Sequence, residues 1–360
     1  MTTSPELSRA WVDIDLAALR RNAATVAAAV RAPLLPMIKA DAYGLGAVPV
    51  ARALESLNPW GYGVAALDEA QALRRAGIER PILVFTPLLP AWAGAYRAAD
   101  ARPCIGDLEA LQAWLALGGA PFHLEIDTGM RRAGIPFDDA EMLDQLRGLL
   151  PSAEGWEGIF THFHSADTDP ASARIQWDRL QQAIATLGRR PRAVHAASSA
   201  GSFVDRMYGG EFARPGIYLY GGRAGTHQPE TVARFQARVV AVRRVAEGDS
   251  VSYGASWIAA RVTTIATIGA GYADGVLRSL SGRGRIEGAG TVHPIVGRVT
   301  MDMTMIDAGD SPMRPGDSVT IFGGQVSLDQ QAEAAGTISY ELLTSLGTRV
   351  ARRYPGGRAD

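Results

Sequence analysis

The rhythm of apolar segments along the chain is the feature that most constrains its fold. Through the first two thirds of the 360 residues, short β-type runs alternate with longer amphipathic stretches. This alternation indicates parallel strands that are connected by helices. The predicted strands are Pro33–Ala40, Gly61–Ala66, Pro81–Pro87, Arg102–Gly106, Phe122–Gly129, Glu157–Ser165, Ala193–Ala200 and Phe212–Gly221. The clearest helical patterns are residues 67–77, 107–119 and 171–188.

Eight βα repeats of this length are what a closed parallel barrel requires. An open, doubly wound sheet would alternate in the same way, but its first strand should be followed by a G-x-G-x-x-G turn, which this chain lacks. The sequence therefore predicts an α/β fold whose N-terminal part is a (β/α)8 TIM barrel.

The rhythm changes near residue 230, where strand patterns follow one another with glycine-rich turns between them. We therefore expect a barrel domain over residues 1–229 and a C-terminal all-β domain over residues 230–360. The early segment Arg9–Ile14 could pair with the later sheet. The later predicted elements are the strands Arg234–Val245, Thr263–Gly269, Thr291–Asp307 and Ser318–Phe322, and a closing helix Tyr340–Arg353.

Composition excludes several classes of function. A net charge of −1 gives no basic surface for nucleic acid. No apolar run approaches the ~20 residues that cross a bilayer, and the N-terminus lacks a signal-peptide pattern. The single cysteine, Cys104, fits a reducing compartment. We expect a soluble, cytoplasmic protein without nucleic-acid or membrane partners.

Lysine usage points to one chemically special position. The chain has 36 lysines plus arginines, and only one of them, Lys39, is a lysine. A desolvated lysine can lose its proton and attack a carbonyl, whereas a guanidinium stays protonated. Lys39 lies in an apolar run, so it is either a catalytic amine or a leftover surface cation, and spacing alone does not decide between the two.

Reactive side chains in a barrel lie at the carboxyl ends of its strands. This set of one amine, several donors and a serine-rich turn suits an anionic cofactor that carries a carbonyl group. The turn at residues 198–202 could bind a phosphate at a helix N-terminus, although an ordinary N-cap serine would look the same. The residues at the strand ends are Lys39, Arg132, His162, His164, Ser198, Ser199 and Arg214.

A metal site is the competing interpretation of one of these strand ends. His162 and His164 form a His-x-His pair, and alternation along a strand would place both rings on one face. The pattern is incomplete, because the other histidines are scattered and no matching carboxylate accompanies the pair. We therefore expect no metal.

Taken together, the motifs resemble those of the alanine racemases, and they are spread over nearly the full length of the chain. That resemblance implies pyridoxal 5'-phosphate (PLP) as the cofactor. MIKADAYGLG (37–46) resembles the family's cofactor-attachment segment, which makes Lys39 the Schiff-base lysine and Tyr43 a phosphate contact. VHAASSAG (194–201) and RPGIYLYG (214–221) imply Ser199 and the Gly216 and Ile217 N–H groups for phosphate.

The same resemblance assigns the remaining roles. IDTGMRRAG (126–134) supplies Arg132 for the substrate carboxylate, and THF (161–163) supplies His162. RPGIYLYG also supplies Arg214 for the pyridine nitrogen. The motifs VSYGASW, GYADGVLR, GRVTMDM and TISYE supply Tyr253, Tyr272, Met301 with Asp302, and Tyr340, respectively.

Inversion of a Cα centre requires proton removal on one face and proton return on the other, so two bases are expected. By resemblance, Lys39 serves the D-amino-acid face and Tyr253 the L face, with His162 and Arg214 behind the tyrosine. In relatives, the Tyr253, Met301 and Tyr272 segments reach the site of the other subunit. This implies a two-fold homodimer with shared active sites.

One position departs from the family pattern. Some members carry a carbamylated lysine where this chain has Glu125. We expect the Glu125 carboxylate to hold Arg132 by a charge-assisted hydrogen bond. Glutamate is shorter than a carbamylated lysine, so the contact is either direct or through water, and the alternative is a strand-end glutamate that faces solvent.

The resemblance implies interconversion of L-alanine and D-alanine and a supply of D-alanine for peptidoglycan. The alternatives are a racemase of broader specificity, which acts on serine or basic amino acids, and a non-catalytic PLP-binding barrel. The second domain with Tyr253 argues against a PLP carrier, and Arg214 at the pyridine position argues against a decarboxylase.

Overall fold

Short parallel strands from the first two thirds of the chain form one sheet in a computed structural model that describes residues 8–356. After an initial strand β1 (Ala10–Ile14), the strands are β2 (Tyr62–Val64), β3 (Ile82–Pro87), β4 (Arg102–Ile105), β5 (Phe122–Asp127), β6 (Ile135–Pro136), β7 (Trp156–Phe160) and β8 (Ala193–His195). Pairing runs in the order β2-β3-β4-β5-β7-β8, with β6 beside β5. β5 is buried along its whole length, as expected of a strand that is covered on both faces.

Two backbone bridges close this sheet into a barrel. Leu34 bridges Ala213 and Met37 bridges Gly63, so these short segments fill the gap between β8 and β2. The Leu35 N–H donates to the Ala213 carbonyl at 2.7 Å. The predicted TIM-like fold is confirmed, although its first and last segments are bridges rather than full strands.

Helices cover the outside of the barrel, and aspartate side chains begin several of them. The Asp15 carboxylate accepts the N–H groups of Ala17 and Ala18 at 2.8 and 2.9 Å. Asp107, Asp139 and Asp169 cap later helices in the same way, and each such cap contributes about 1 kcal/mol. The helices are α1 (Leu16–Val30), α2 (Lys39–Gly44), α3 (Ala47–Leu54), α4 (Leu67–Arg75), α5 (Ala93–Ala98), α6 (Leu108–Leu115), α7 (Ala140–Leu149), α8 (Pro170–Leu187) and α9 (Gly201–Val204).

The later strands are antiparallel and close around one long strand. They are β9 (Ala233–Val245), β10 (Ser250–Val251), β11 (Trp257–Ile258), β12 (Thr263–Ile268), β13 (Arg285–Gly288), β14 (Thr291–Val296), β15 (Thr304–Asp307), β16 (Ser318–Phe322) and β17 (Ala351–Arg353). The order β12-β15-β14-β13-β16-β9 forms a ring, because β9 also pairs with β12. Two helices, α10 (Leu328–Ala335) and α11 (Ser339–Thr344), complete this part.

β1 pairs with these later strands. It runs antiparallel to β9, with Val12 opposite Phe235, and parallel to β17, with Val12 opposite Arg352. The first strand of the chain therefore extends the sheet that the last strands build.

Three predicted elements are wrong in detail. The predicted strand Thr291–Asp307 is a hairpin of β14 and β15, because Gly297 turns the chain with a left-handed φ of 66°. The predicted helix Tyr340–Arg353 ends at Thr344, and its last residues, Ala351–Arg353, form strand β17 instead because they pair with β1. The predicted strand 212–221 bridges only at its start and then forms a 3-10 turn.

Candidate active site

The turn that carries Lys39 has a left-handed backbone. Residues 40–43 all have φ between 51° and 58°, a conformation that costs about 1–2 kcal/mol for each non-glycine residue. Glu69 holds this turn in place. One carboxylate oxygen of Glu69 accepts the Ala40 N–H at 2.5 Å, and the other accepts the Ala65 N–H at 2.7 Å. The strained turn is thereby fixed to the start of α4.

The Lys39 side chain is half-buried beside a cavity of about 420 Å³. Burial lowers the pKa of Lys39, the Arg132 charge lowers it further, and the Glu69 carboxylate opposes both. A lower pKa enlarges the neutral fraction, which is the form that attacks a carbonyl. The cavity is lined by Lys39, Ala40, Tyr43, Thr337, Ile338, Tyr340, Glu341 and Thr344.

Three tyrosines pack together next to this cavity. The Tyr43 ring stacks on Tyr220 with centroids 4.6 Å apart and lies 5.9 Å from Tyr340. Burial raises the pKa of Tyr43, and it raises that of Tyr340 to about 12. Both hydroxyl groups are therefore protonated donors at neutral pH. Gly216 allows this packing, because a Cβ there would lie 2.2 Å from the Tyr43 hydroxyl oxygen.

Backbone N–H groups converge on Ser199 at the same end of the barrel. The buried Ser199 hydroxyl oxygen accepts the N–H groups of Gly216 at 2.9 Å and Tyr218 at 3.3 Å. Ile217 lies between these two residues and begins the 3-10 turn Ile217–Tyr220. Because both N–H groups donate to the hydroxyl oxygen, the Ser199 hydroxyl keeps its own proton to donate to an acceptor.

Arg214 is buried at the core of the site, with 3% of its surface exposed. One terminal nitrogen lies 2.7 Å from His195 Nδ1. The other donates to the carbonyl oxygens of Thr161 at 2.9 Å and Ala196 at 3.1 Å, and it lies 3.4 Å from His162 Nδ1. Burial lowers the pKa of Arg214 to about 10, so the guanidinium stays charged at neutral pH.

His162 is a neutral imidazole. Burial lowers its pKa to about 3, with further contributions from the charges of Arg214, Arg132 and Lys39. Because a guanidinium can only donate, the Nδ1 atom that faces Arg214 must be the acceptor and Nε2 carries the proton. Arg214, Arg132 and Lys39 therefore all lie close enough to His162 to disfavour its protonation.

Glu125 is buried, with 5% exposure, so the solvent-facing interpretation is wrong. The expected direct hydrogen bond to Arg132 is also missing, because Glu125 Oε2 has no hydrogen-bond partner within residues 8–356. Burial raises the pKa of Glu125, whereas the charges of Arg132 and Arg214 oppose that rise. Glu125 is therefore coupled to Arg132 through charge and not through a direct contact.

Tyr253 lies apart from this cluster. Its surface is 72% exposed, and it projects from a 3-10 turn that begins at Ser252, which has a left-handed φ of 71°. The Ser252 hydroxyl donates to the Arg298 carbonyl at 2.8 Å and thereby fixes the turn. Within residues 8–356, Tyr253 does not line the cavity beside Lys39.

Tyr272, Met301 and Asp302 form a second exposed group. The Tyr272 N–H donates to the Thr300 carbonyl at 2.9 Å, which joins the Tyr272 turn to the Met301 loop. Asp302 accepts a hydrogen bond from Arg349 at 2.6 Å. The Met301 side chain is 52% exposed. These residues are brought together with one another but not with Lys39.

Residues that support the site were missed by sequence reasoning. Glu69 binds the Lys39 turn, and His195 contacts Arg214. His123 and Glu157 follow behind His195. His123 and His195 both fall within predicted strands, and this position was the only sequence feature that indicated that they are buried. No group of three or more histidine, cysteine or carboxylate side chains in residues 8–356 is arranged to hold a metal ion.

The fold and the site define a class of protein, in which a barrel with a buried, lysine-centred site is joined to an antiparallel β domain. The alanine racemase N-terminal domain family matches residues 14–224, and the alanine racemase C-terminal domain family matches residues 232–354. The chain belongs to the alanine racemase family.

Individual relatives are similar over almost their entire length. Alanine racemase from Acidiphilium cryptum (strain JF-5) is 37% identical, and the alignment covers 94% of this chain and 97% of that protein. Alanine racemase from Salinispora tropica is also 37% identical, with 97% and 99% covered.

Solved structures agree with this assignment. Alanine racemase from D-cycloserine-producing Streptomyces lavendulae superposes with a TM-score of 0.89 at 32% identity, over 99% of this chain and 98% of that one. Alanine racemase from Bartonella henselae, which was solved with covalently bound pyridoxal phosphate, gives 0.89 at 29% identity over 96% and 99%.

Proposed function

We propose that this chain is an alanine racemase that binds PLP through Lys39. The observation that carries the proposal is the position of the only lysine, half-buried on a strained turn beside a cavity and near Arg132, which lowers its pKa. The Bartonella henselae relative with covalently bound pyridoxal phosphate supports the same cofactor.

The residues around Lys39 fit this cofactor. Tyr43 Oη lies so close to Gly216 that a side chain there would clash. Two backbone N–H groups converge on the Ser199 oxygen, and the Ser199 hydroxyl has its own proton to donate. Tyr43, Ser199, Gly216 and Ile217 would hold the phosphate, and Tyr340 packs beside them. Arg214 would face the pyridine nitrogen. When bound, the cofactor delocalises the electron pair that Cα keeps after it loses a proton.

Lys39 takes or returns the Cα proton on the D-amino-acid face, and Tyr253 does so on the L face. Tyr253 is exposed and does not line the cavity beside Lys39 within residues 8–356. The site would be completed by Tyr253 of the partner subunit in a homodimer. Met301 and Tyr272 reach the partner's site in the same way, and Asp302 holds their loop through Arg349.

His162 prepares the tyrosine for this role. A free tyrosine has a pKa near ~10, which is too high for a base at neutral pH. The Nε2 proton of His162 is free to be donated to the phenolate oxygen, which stabilises the charged form. Arg214 keeps that proton on Nε2 because it donates to Nδ1.

Arg132 binds the substrate carboxylate, and Glu125 supports it. The two charges attract each other without a direct hydrogen bond. A bound water would bridge them well, because Glu125 Oε2 is buried and otherwise without a partner.

Alanine is the favoured substrate because Tyr340 and Tyr43 crowd the space next to Lys39. We further propose a cytoplasmic location and a role in supplying D-alanine for peptidoglycan. The helices of residues 8–356 are too short or too polar to cross a bilayer. We also propose that residues 1–229 and 230–360 act as two domains, with β1 belonging to the second sheet.

The test is to incubate the PLP-loaded protein separately with L-alanine, L-serine and L-lysine and to follow optical inversion by circular dichroism. We expect inversion of L-alanine that greatly exceeds that of the other two. Equal rates would show a racemase of broad specificity, and no inversion with any substrate would refute the proposed activity.

A further inference from the structure

A row of buried polar side chains runs through the barrel behind Arg214. From the arginine, His195 Nε2 lies 2.8 Å from His123 Nδ1. His123 Nε2 then lies 3.2 Å from a Glu157 carboxylate oxygen, which also accepts the Arg102 Nε–H at 2.6 Å. Because Arg102 and Glu157 lie at the start of their strands, the row connects the two ends of the barrel.

The hydrogen bonds in this row can point in only one direction. Arg214 can only donate, so Nδ1 of His195 must accept and Nε2 must carry the proton. His195 Nε2 then donates to His123 Nδ1, which places the His123 proton on Nε2. That proton is donated to the Glu157 carboxylate, which can only accept.

The surroundings hold both rings in this arrangement. The His195 ring stacks between Phe160, at 5.0 Å and 11°, and Phe212, at 4.4 Å and 32°. Room for His123 comes from Gly158, where a Cβ would lie 2.2 Å from His123 Nδ1. A neighbour with any side chain at that position would displace the ring.

The charges of the row match this assignment. Burial lowers the pKa values of His123 and His195, so both are neutral near pH 7. Burial alone would raise the pKa of Glu157, but hydrogen bonds from His123 and Arg102 lower it to about 2. The row therefore has a fixed anion at one end, a fixed cation at the other and two neutral donors between them.

We propose that Glu157 is a positioning residue, which acts through His123 and His195 to fix the tautomers that let Arg214 donate toward the pyridine nitrogen. The proposal rests on the proposed place of Arg214 at the cofactor. Glu157 does not touch the cofactor itself, since its side chain is at the opposite end of the barrel.

Glu157→Leu distinguishes this role from simple packing, because it removes the acceptor at the end of the row. The His123 Nε2–H would then be a buried donor without a partner, which favours the reversed row, in which each ring carries its proton on Nδ1. In the reversed row, His195 Nδ1–H would face the Arg214 donor, and the two groups would separate. Glu157→Gln is the conservative variant, because one oxygen, Oε2, receives both the His123 and the Arg102 Nε hydrogen bonds, and the amide oxygen can take that place.

The experiment is ¹⁵N–¹H NMR of the six histidines in the PLP-loaded enzyme, together with the visible spectrum of the cofactor. In the unmodified protein, we expect His123 and His195 to be neutral Nε2–H tautomers. In Glu157→Leu, we expect Nδ1–H to appear in both rings, the cofactor band to shift, and kcat/KM to fall by about ten- to hundredfold, as when a residue that orients a histidine is removed. In Glu157→Gln, we expect the Nε2–H tautomers to be kept.

Glu154→Gln is the matched control, because Glu154 is exposed and only three residues away. It should leave tautomers, spectrum and rate unchanged. An Nδ1–H tautomer of His195 in the unmodified protein would overturn the proposal without any variant. Unchanged tautomers in a folded Glu157→Leu protein would overturn it as well. If the racemase proposal were wrong, the unmodified protein would be inactive while both rings kept their Nε2–H tautomers.

Discussion

The two regions that carry the proposed bases differ sharply in how they are held. Lys39 lies in a turn that is fixed by Glu69 and is surrounded by Arg132, His162 and buried tyrosines. Tyr253 projects from an exposed turn with 72% of its surface open. The Lys39 region is packed within one chain, whereas the Tyr253 turn is open to solvent. Under the proposed function, this difference corresponds to a chain that prepares one face of the substrate and offers the second base to a partner subunit.

The largest expected effect comes from removal of the buried amine. Lys39→Ala should reduce L-alanine inversion by at least ~10⁴-fold, because it removes both the covalent link to PLP and one base. Borohydride reduction of the unmodified protein with PLP should attach the cofactor to a single peptide that contains Lys39.

Arg20→Ala, which removes an exposed cation, is the control for this variant and should retain both activity and labelling. Labelling in Lys39→Ala would contradict the assignment of the attachment site.

Tyr253→Phe tests the exposed half of the comparison. The variant should lose about 10²–10⁴-fold in rate, which is the contribution of one positioned acid or base. Its cofactor labelling at Lys39 should survive, because Tyr253 does not line that cavity within one chain.

A mixture of the two variants sharpens the comparison further. In a Lys39→Ala/Tyr253→Phe mixed dimer, one site has both bases and the other has neither. Random mixing of equal amounts should therefore restore about a quarter of the unmodified activity. A mixture that stays inactive would show that each chain supplies both bases to its own site.

A smaller effect is expected for Glu125→Gln. The substitution removes the charge that acts on Arg132, so KM for alanine should rise by about tenfold, equivalent to roughly 1.4 kcal/mol. The rate at saturation should change less. Glu141→Gln, on the exposed surface of α7, is the control. Steady-state kinetics that show no change in KM would remove Glu125 from the substrate site.

The smallest effect concerns stability in acid. The pKa of His162 is about 3 in the folded protein, against ~6.5 when unfolded. Between these values the unfolded chain binds a proton that the folded one does not, so stability falls as pH falls. His162→Gln should reduce the slope of the free energy of unfolding by roughly 1 kcal/mol per pH unit in this window.

Denaturant titrations between pH 6.5 and pH 4 would measure that slope. His164→Gln, which alters an exposed ring two residues along the chain, should follow the unmodified protein. A His162→Gln profile identical to that of the control would contradict the buried, neutral state of His162.

Much of the fold was predictable because its strands are short, apolar and regularly spaced. Ser318–Phe322 was predicted with its observed bounds, since turn residues flank it on both sides. The hairpin within Thr291–Asp307 was missed, because Gly297 lies inside a continuous run of strand-forming residues. The local sequence pattern cannot distinguish a glycine that forms a tight turn from a glycine inside one continuous strand.

The candidate site was predictable only where a motif carries it. No pattern predicts four consecutive non-glycine residues with left-handed φ, because tertiary contacts such as Glu69 to Ala40 stabilise them. The pairing of His123 with His195 was equally hidden. These residues lie 72 positions apart and meet only because the barrel folds.

The pairing of β1 sets the order in which the chain can finish folding. Asp13 emerges from the ribosome early, yet its partner Gln236 follows 223 residues later, which is roughly 11–45 s at ordinary rates of synthesis. During this time the apolar strand Ala10–Ile14 has no sheet to join. Its second partner, β17, is the last strand to be synthesised, so β1 has neighbours on both sides only when synthesis is nearly complete. A nascent chain that stalls inside the β domain would therefore expose the apolar strand β1 without a pairing partner. A chaperone that binds extended apolar segments would bind it there.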